Sequence, residues 1–344
     1  MPNNFQQTLL HHGGKLHAAA VRYNIPFEQW LDLSTGINPN GWPVAAIPAE
    51  LWARLPEDDD GLEQAAHDYY GAKHLLPVAG SQAAIQALPQ LRAPSRVAVL
   101  NLAYAEHAHA WQRAGHTVIP VAVEEMNDAV AQADVVVLIN PNNPTGARFT
   151  QEQLLDWHEQ LAARNGWLVV DEAFMDATPE QSLCHHATHD GLIVLRSLGK
   201  FFGLAGARVG FVCAQPQLLM QLNSLLGPWT ISAPARYIAT LALQDRAWQQ
   251  QTRQRLHTDS SRLHTLLTQH GLAPDGGCTL FQWLQTPQAG QLHEQLARQG
   301  ILTRLFTEPA SVRFGLPKDE AGWQRLDTAL ASQQSHSTFK CRVG

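Results

Sequence analysis

Short apolar runs alternate with longer mixed stretches through the first two thirds of this chain. Residues 96–100, 117–121, 134–139, 167–170 and 192–195 are nearly unbroken runs of β-branched and aliphatic residues at strand length. A strand with no polar side to present belongs between two covering layers. Between these runs, 83–88, 106–114, 151–164 and 215–226 predict helices. Strands alternating with helices of that length predict an α/β fold, a mainly parallel, doubly covered sheet in a large domain. Past residue 245 the pattern changes. A long glutamine-rich helix over 245–270 precedes strands at 279–284, 301–304 and 311–314, with a helix near 290–299 between the first two. This predicts a smaller α+β domain completed by the N-terminal segment. The expected division is 30–240 for the large domain, 1–29 plus 241–335 for the small one, and 336–344 as a tail.

Composition narrows the class. The 344 residues are 45% hydrophobic and only 16% charged, which suits a globular chain with a large core and roughly two domains. A net charge of −6 without a clustered basic surface predicts no nucleic-acid partner. No run approaches the ~18 apolar residues of a membrane span, and Met1–Gln7 has neither the basic nor the apolar region of a secretion signal. The cysteines Cys184, Cys213, Cys278 and Cys341 are scattered, so they read as reduced thiols in a cytoplasmic protein. His185-His186-Ala187-Thr188-His189 reads as a polar loop, and no metal site is expected.

The candidate chemistry gathers at strand ends, where open α/β sheets place their ligands. Asn140-Pro141-Asn142-Asn143-Pro144-Thr145-Gly146 follows one predicted strand and Asp171-Glu172-Ala173-Phe174 another. A glycine-bearing turn, Ala79-Gly80-Ser81-Gln82, opens a predicted helix whose free N–H groups suit a phosphate. The decisive segment runs Ser197-Leu198-Gly199-Lys200-Phe201-Phe202-Gly203, with Arg208 soon after. An amine so placed can condense with a cofactor aldehyde, while hydroxyl, N–H and guanidinium groups hold a phosphate. The expected cofactor is pyridoxal 5'-phosphate. Asp171 would keep its pyridine nitrogen protonated, Asn143 would donate to its phenolic oxygen, and Tyr104 would stack on the ring. Gly80, Ser81, Gln82, Ser197 and Arg208 would take the phosphate. Lys200 must be neutral to attack an aldehyde, though a free lysine has a pKa of about 10.4; burial and Arg208 would lower it. Taken singly, these features are a cap, a turn or ordinary packing, and the weight lies in their order.

On these residues, and on His12-Gly13-Gly14, Leu33-Ser34-Thr35-Gly36-Ile37-Asn38-Pro39, Pro228-Trp229-Thr230 and the pair Arg304 and Arg313, the chain resembles the class I/II aminotransferase superfamily (fold type I). The resemblance runs from Leu31 to about Phe314. Within that superfamily it is most similar to the threonine-phosphate decarboxylases of cobalamin biosynthesis. It implies Lys200 as the Schiff-base lysine and catalytic acid and Asp171 as its catalytic partner. Substrate contacts would come from His12, Gly13, Gly14, Asn38, Asn143, Arg304 and Arg313. It also implies a homodimer and a small phosphorylated amino acid as substrate. The implied reaction is decarboxylation of L-threonine O-3-phosphate to (R)-1-amino-2-propanol O-2-phosphate, with a histidinol-phosphate-type aminotransferase as the alternative. Departures from the aminotransferase pattern are Phe174 and Leu55, each where a tyrosine is common, and Gly199 where a serine is. A nucleotide-binding reading lacks the G-x-G-x-x-G turn after the first strand.

Overall fold

The computed structural model describes residues 12–340. After a helix at Leu16–Tyr23, the chain forms a two-residue strand, β1 (Leu31–Asp32). Its central sheet is built from β2 (Leu75–Val78), β3 (Arg96–Leu100), β4 (Thr117–Val121), β5 (Val135–Ile139), β6 (Trp167–Asp171), β7 (Leu192–Ser197) and β8 (Gly210–Cys213). These seven lie in the order β2-β8-β7-β6-β5-β3-β4. The run from β4 to β7 is parallel, and β8 is antiparallel to both its neighbours. The fold class is therefore the one the apolar runs predict.

Side chains on a strand alternate between faces, and here each face has its own core. Val136, Leu138, Leu168, Val170 and Val194 enter one core. Val135, Val137, Val169, Ile193 and Leu195 enter the other. Each fully buried side chain of this size contributes about 1.5–3 kcal/mol, which is why β6 and β7 turn polar only at their carboxyl ends, at Asp171, Arg196 and Ser197.

The smaller sheet comes later in the chain: β9 (Gly276–Cys278), β10 (Phe281–Gln285), β11 (Ile301–Leu302), β12 (Arg304–Thr307) and β13 (Ala310–Gly315). Four of these pair antiparallel as β12-β13-β10-β9, while β11 pairs parallel with β1. That register sets Arg304 directly opposite Arg313. The two sheets touch backbone to backbone. A Cβ on Gly146 would stand 2.2 Å from the Gly277 carbonyl, and one on Gly276 would stand 2.1 Å from that of Thr145.

Three findings differ from expectation. Strands β2 and β8 were not foreseen; Pro77 sits in β2, which it can occupy because β2 is a sheet edge. β9 was not foreseen either, since its Gly-Gly-Cys has no strand signature. The last helix runs Glu320–Lys340, into the stretch expected as a tail. The leader reading of Met1–Gln7 and the thiol reading of Cys341 fall outside the described residues. His185, from the histidine-rich loop, packs its ring against Gly71. Among the described residues no helix is long and apolar enough to cross a membrane.

Candidate active site

The carboxyl ends of β5, β6 and β7 open onto one cleft of about 400 Å³. Asn143, Asp171, Ser197 and Lys200 line it from the large sheet, with Ser81, Gln82, Tyr104 and Arg208 beside them. Arg304 and Arg313 reach in from the smaller sheet, and His12 and Gly13 from the N-terminal side. Within a chain of net charge −6, Asp171 is, among the described residues, the lone carboxylate on this wall, beside Lys200, Arg208, Arg304 and Arg313. The cleft is a basin for anions.

Lys200 sits just past the end of β7, in a turn closed by Gly203 N–H donating to the Lys200 carbonyl at 3.2 Å. Burial, helped by Arg313 and Arg208 and opposed by Asp171, lowers its pKa to about 8. An amine there is far easier to deprotonate than a free lysine, as covalent attachment to an aldehyde requires. Its Nζ lies 5.6 Å from the centre of the Phe174 ring. That ring fills the space between Gly36 and Phe281, meeting Phe281 edge-on at 5.2 Å, so Phe174 is a wall and offers no hydroxyl.

Asp171 ends β6 and is buried. Its Oδ1 accepts from Ala173 N–H at 3.0 Å, and its Oδ2 stands 3.0 Å from Nε2 of buried His107. A carboxylate only accepts, so that nitrogen of His107 carries the proton. Arg313 donates to Oδ1 of Asn143 and, at 2.8 Å, to the Ser34 carbonyl. The Asn143 NH2 is thereby left as the donor for a ligand. Burial first and Arg304 second lower the pKa of Arg313 to about 10, the signature of a cation short of anions.

The cradle for a phosphate is tight. Gly80 has φ +70, and a Cβ there would stand 2.6 Å from Nη2 of Arg208. Arg208 itself takes the left-handed conformation at φ 55 and donates to the Ala205 carbonyl at 3.0 Å. Ser81 and Gln82 follow Gly80 as the first turn of helix Ser81–Ala87, which has no side-chain cap. Arg313 Nε is buried without a hydrogen-bond partner. A half-buried amine of lowered pKa, unpartnered guanidinium N–H and a glycine-shaped anion cradle fit pyridoxal 5'-phosphate.

Residues 52–333 match the family described as aminotransferase class I and II. The chain belongs to that family. It is 56% identical, over 94% of its length and 97% of the relative's, to a threonine-phosphate decarboxylase of Pseudomonas aeruginosa. It is 41% identical to another from Sinorhizobium sp, over 94% of the chain and 98% of the relative. Histidinol-phosphate aminotransferases match more distantly. Among solved structures, a histidinol-phosphate aminotransferase of Sinorhizobium meliloti, in complex with pyridoxal-5'-phosphate, superimposes with a TM-score of 0.81. It has 20% identity and covers 96% of this chain and 97% of its own, a likeness of fold.

For this member of the aminotransferase family three of the expected contacts need correction. Asn38 does not line the cleft. It is buried, donates to the Phe201 carbonyl at 2.8 Å and accepts from Asn40 N–H at 3.0 Å and from Arg255 at 3.2 Å. Its own N–H donates to the Lys200 carbonyl at 2.9 Å, so it braces the lysine turn instead of touching a ligand. Gly14 is likewise off the cleft wall, its N–H donating to Ser34 Oγ at 2.7 Å. Gly80 makes room for Arg208 without lining the cleft itself. The side chain of Gln82 is engaged by protein, accepting from the Tyr104 hydroxyl at 3.2 Å and donating to Glu106 at 2.9 Å. Tyr104 keeps its proton, its pKa pushed up to about 12 by burial, then Glu106 and Asp171. His107 and Glu106 escape a reading of the sequence. The one available signal for His107 is its place three residues after Tyr104, at the start of the predicted helix.

Proposed function

We propose that this protein is a pyridoxal-5'-phosphate-dependent carboxy-lyase that converts L-threonine O-3-phosphate to (R)-1-amino-2-propanol O-2-phosphate in cobalamin biosynthesis. The observation that carries this reading is the pairing of Arg304 and Arg313. They are direct cross-strand partners and both line the cleft that holds Lys200. Like charges set opposite each other destabilise a sheet, so the pair makes sense with a dianion between or beside them. Planar guanidinium forks suit phosphate oxygens. Kinship to threonine-phosphate decarboxylases points the same way.

When bound, the cofactor supplies an aldehyde for the substrate amine and a ring that accepts the electron pair left behind by departing CO2. The chain's own residues do the rest. Ser81, Gln82, Ser197 and Arg208 hold the cofactor phosphate, the first two through backbone N–H groups. Asp171, oriented by His107, keeps a proton on the ring nitrogen, and the Asn143 amide donates to the ring oxygen. Tyr104 covers one face. Arg304, Arg313, His12 and Gly13 grip the substrate phosphate. With both arginines so occupied, the pocket an aminotransferase gives to the α-carboxylate would be taken, leaving that carboxylate without its usual anchor and able to depart as CO2. Lys200 Nζ, carrying a proton taken from the substrate ammonium group, would deliver it as general acid to the substrate Cα in place of the departing CO2.

A homodimer in the cytoplasm is part of this proposal. Trp52, Leu55 and Trp229 are exposed large apolar side chains, and Pro56 and Trp229 share one surface hollow. Such a patch suits a second copy. The test of the function uses purified holoenzyme with L-threonine O-3-phosphate, following CO2 beside keto acid. CO2 release without keto acid is expected; keto acid with a pyridoxamine product would overturn the proposal in favour of transamination.

A further inference from the structure

Glu106 has no part in the chemistry above, yet three segments of the cleft wall meet on its carboxylate. Oε1 accepts from Nε2 of His12 at 2.8 Å. Oε2 accepts from the amides of Gln82 at 2.9 Å and Gln86 at 3.1 Å. Glu106 is the first residue of helix Glu106–Arg113, so one side chain joins that helix, helix Ser81–Ala87 and the segment carrying His12. The glutamate side chain is 14% exposed and that of His12 41%. The other end of this N-terminal segment is fixed on the opposite wall. A Cβ on Gly13 would stand 2.3 Å from the Ser34 carbonyl, and Gly14 N–H donates to Ser34 Oγ at 2.7 Å. The same Ser34 carbonyl is held by Arg313. Residues 12–14 therefore form a strap with one foot on Ser34 and the other on Glu106, and His12 and Gly13 between them line the cleft.

We propose that Glu106 is a positioning residue: it holds this strap, and His12 with it, at the mouth of the cleft and so sets how well a phosphorylated substrate is retained. The inference rests on the reading of His12 and Gly13 as contacts to the substrate phosphate. The side chain must be a carboxylate. Its two oxygens both accept, which matches donors on both sides, whereas an amide presents one acceptor and one NH2. Glu106→Gln keeps the shape but must give up either His12 or the glutamine pair.

The test compares wild-type and Glu106→Gln holoenzyme on L-threonine O-3-phosphate, with cofactor absorbance and Tm measured alongside. KM rises about tenfold, the scale of one hydrogen bond to a charged group, while kcat, cofactor absorbance and Tm stay put. His12→Ala raises KM on its own, and adding it to Glu106→Gln raises KM no further. An unchanged KM, additive effects in the double variant, or a loss expressed in kcat, cofactor binding or Tm would each overturn the proposal. If the wild type releases no CO2, the functional reading fails alone, and the strap is judged on inorganic phosphate. Phosphate must then bind Glu106→Gln about tenfold more weakly than wild type, and equal binding overturns the strap.

Discussion

Lys200 is a half-buried amine beside Arg313 and Arg208, and its lowered pKa has a consequence for stability as well as chemistry. Folding drops its pKa from 10.5 to about 8, with burial the leading cause. Between those values the unfolded chain binds more protons than the folded one, so stability of the cofactor-free protein rises with pH across that window. Below about 8 both states hold the proton and the cost of burying the charge is fully present. Lys200→Met should abolish this slope, which denaturant unfolding of the two apoproteins at pH 8 and pH 10 would reveal. An identical slope in both would place the titration elsewhere. At this scale the sequence was informative where a residue acts through its own type. Lys200, Asp171, Asn143, Ser197 and Arg208 are recognisable because an amine, an acid, an amide, a hydroxyl and a guanidinium stand at strand ends. His107 and Asn38 were misjudged or missed because their roles lie in partners far along the chain. His107 meets Asp171 across 64 positions, and Asn38 meets Phe201 across 163.

Among the elements, the ends of β6 and β7 are tied by a wholly buried ion-pair cluster. Arg196 donates to Glu172 at 2.6 Å and to Asp176 at 2.6 Å, while Ser182 Oγ and Leu183 N–H also bond Glu172. Glu172 follows Asp171 directly and Arg196 precedes Ser197, so the cluster sets the spacing of two functional strand ends. Arg196→Met strands two carboxylates in the interior. Breaking a buried pair in this way costs about 3–5 kcal/mol, to be read as a lower urea midpoint at unchanged m-value. A change within about 0.5 kcal/mol, the range of ordinary surface substitutions, would show that water or a neighbour relieves the charges. The parallel strands were legible because burial on both faces writes a continuous apolar run. β8 was not, because Gly210-Phe211-Val212-Cys213 begins inside a glycine-rich turn and its strand character comes from pairing with β2 and β7.

At the scale of the whole molecule, a chain of net charge −6 concentrates Lys200, Arg208, Arg304 and Arg313 on one cleft. A net-negative chain around a basic basin favours small anions over polyanions. Inorganic phosphate should therefore stabilise the apoprotein, by about 2.7 kcal/mol at a hundred times its Kd. The rise in Tm should shrink markedly in Arg304→Ala. If phosphate leaves Tm untouched in wild type, the basin does not select anions of this kind.

The contact between the sheets at Gly146, Gly276 and Gly277 carries a different lesson. Because main chain rests on main chain there, the separation between Asn143 on one side and Arg313 on the other is gauged by peptide geometry. A single methyl group added at Gly146 or Gly276 would change that separation at once.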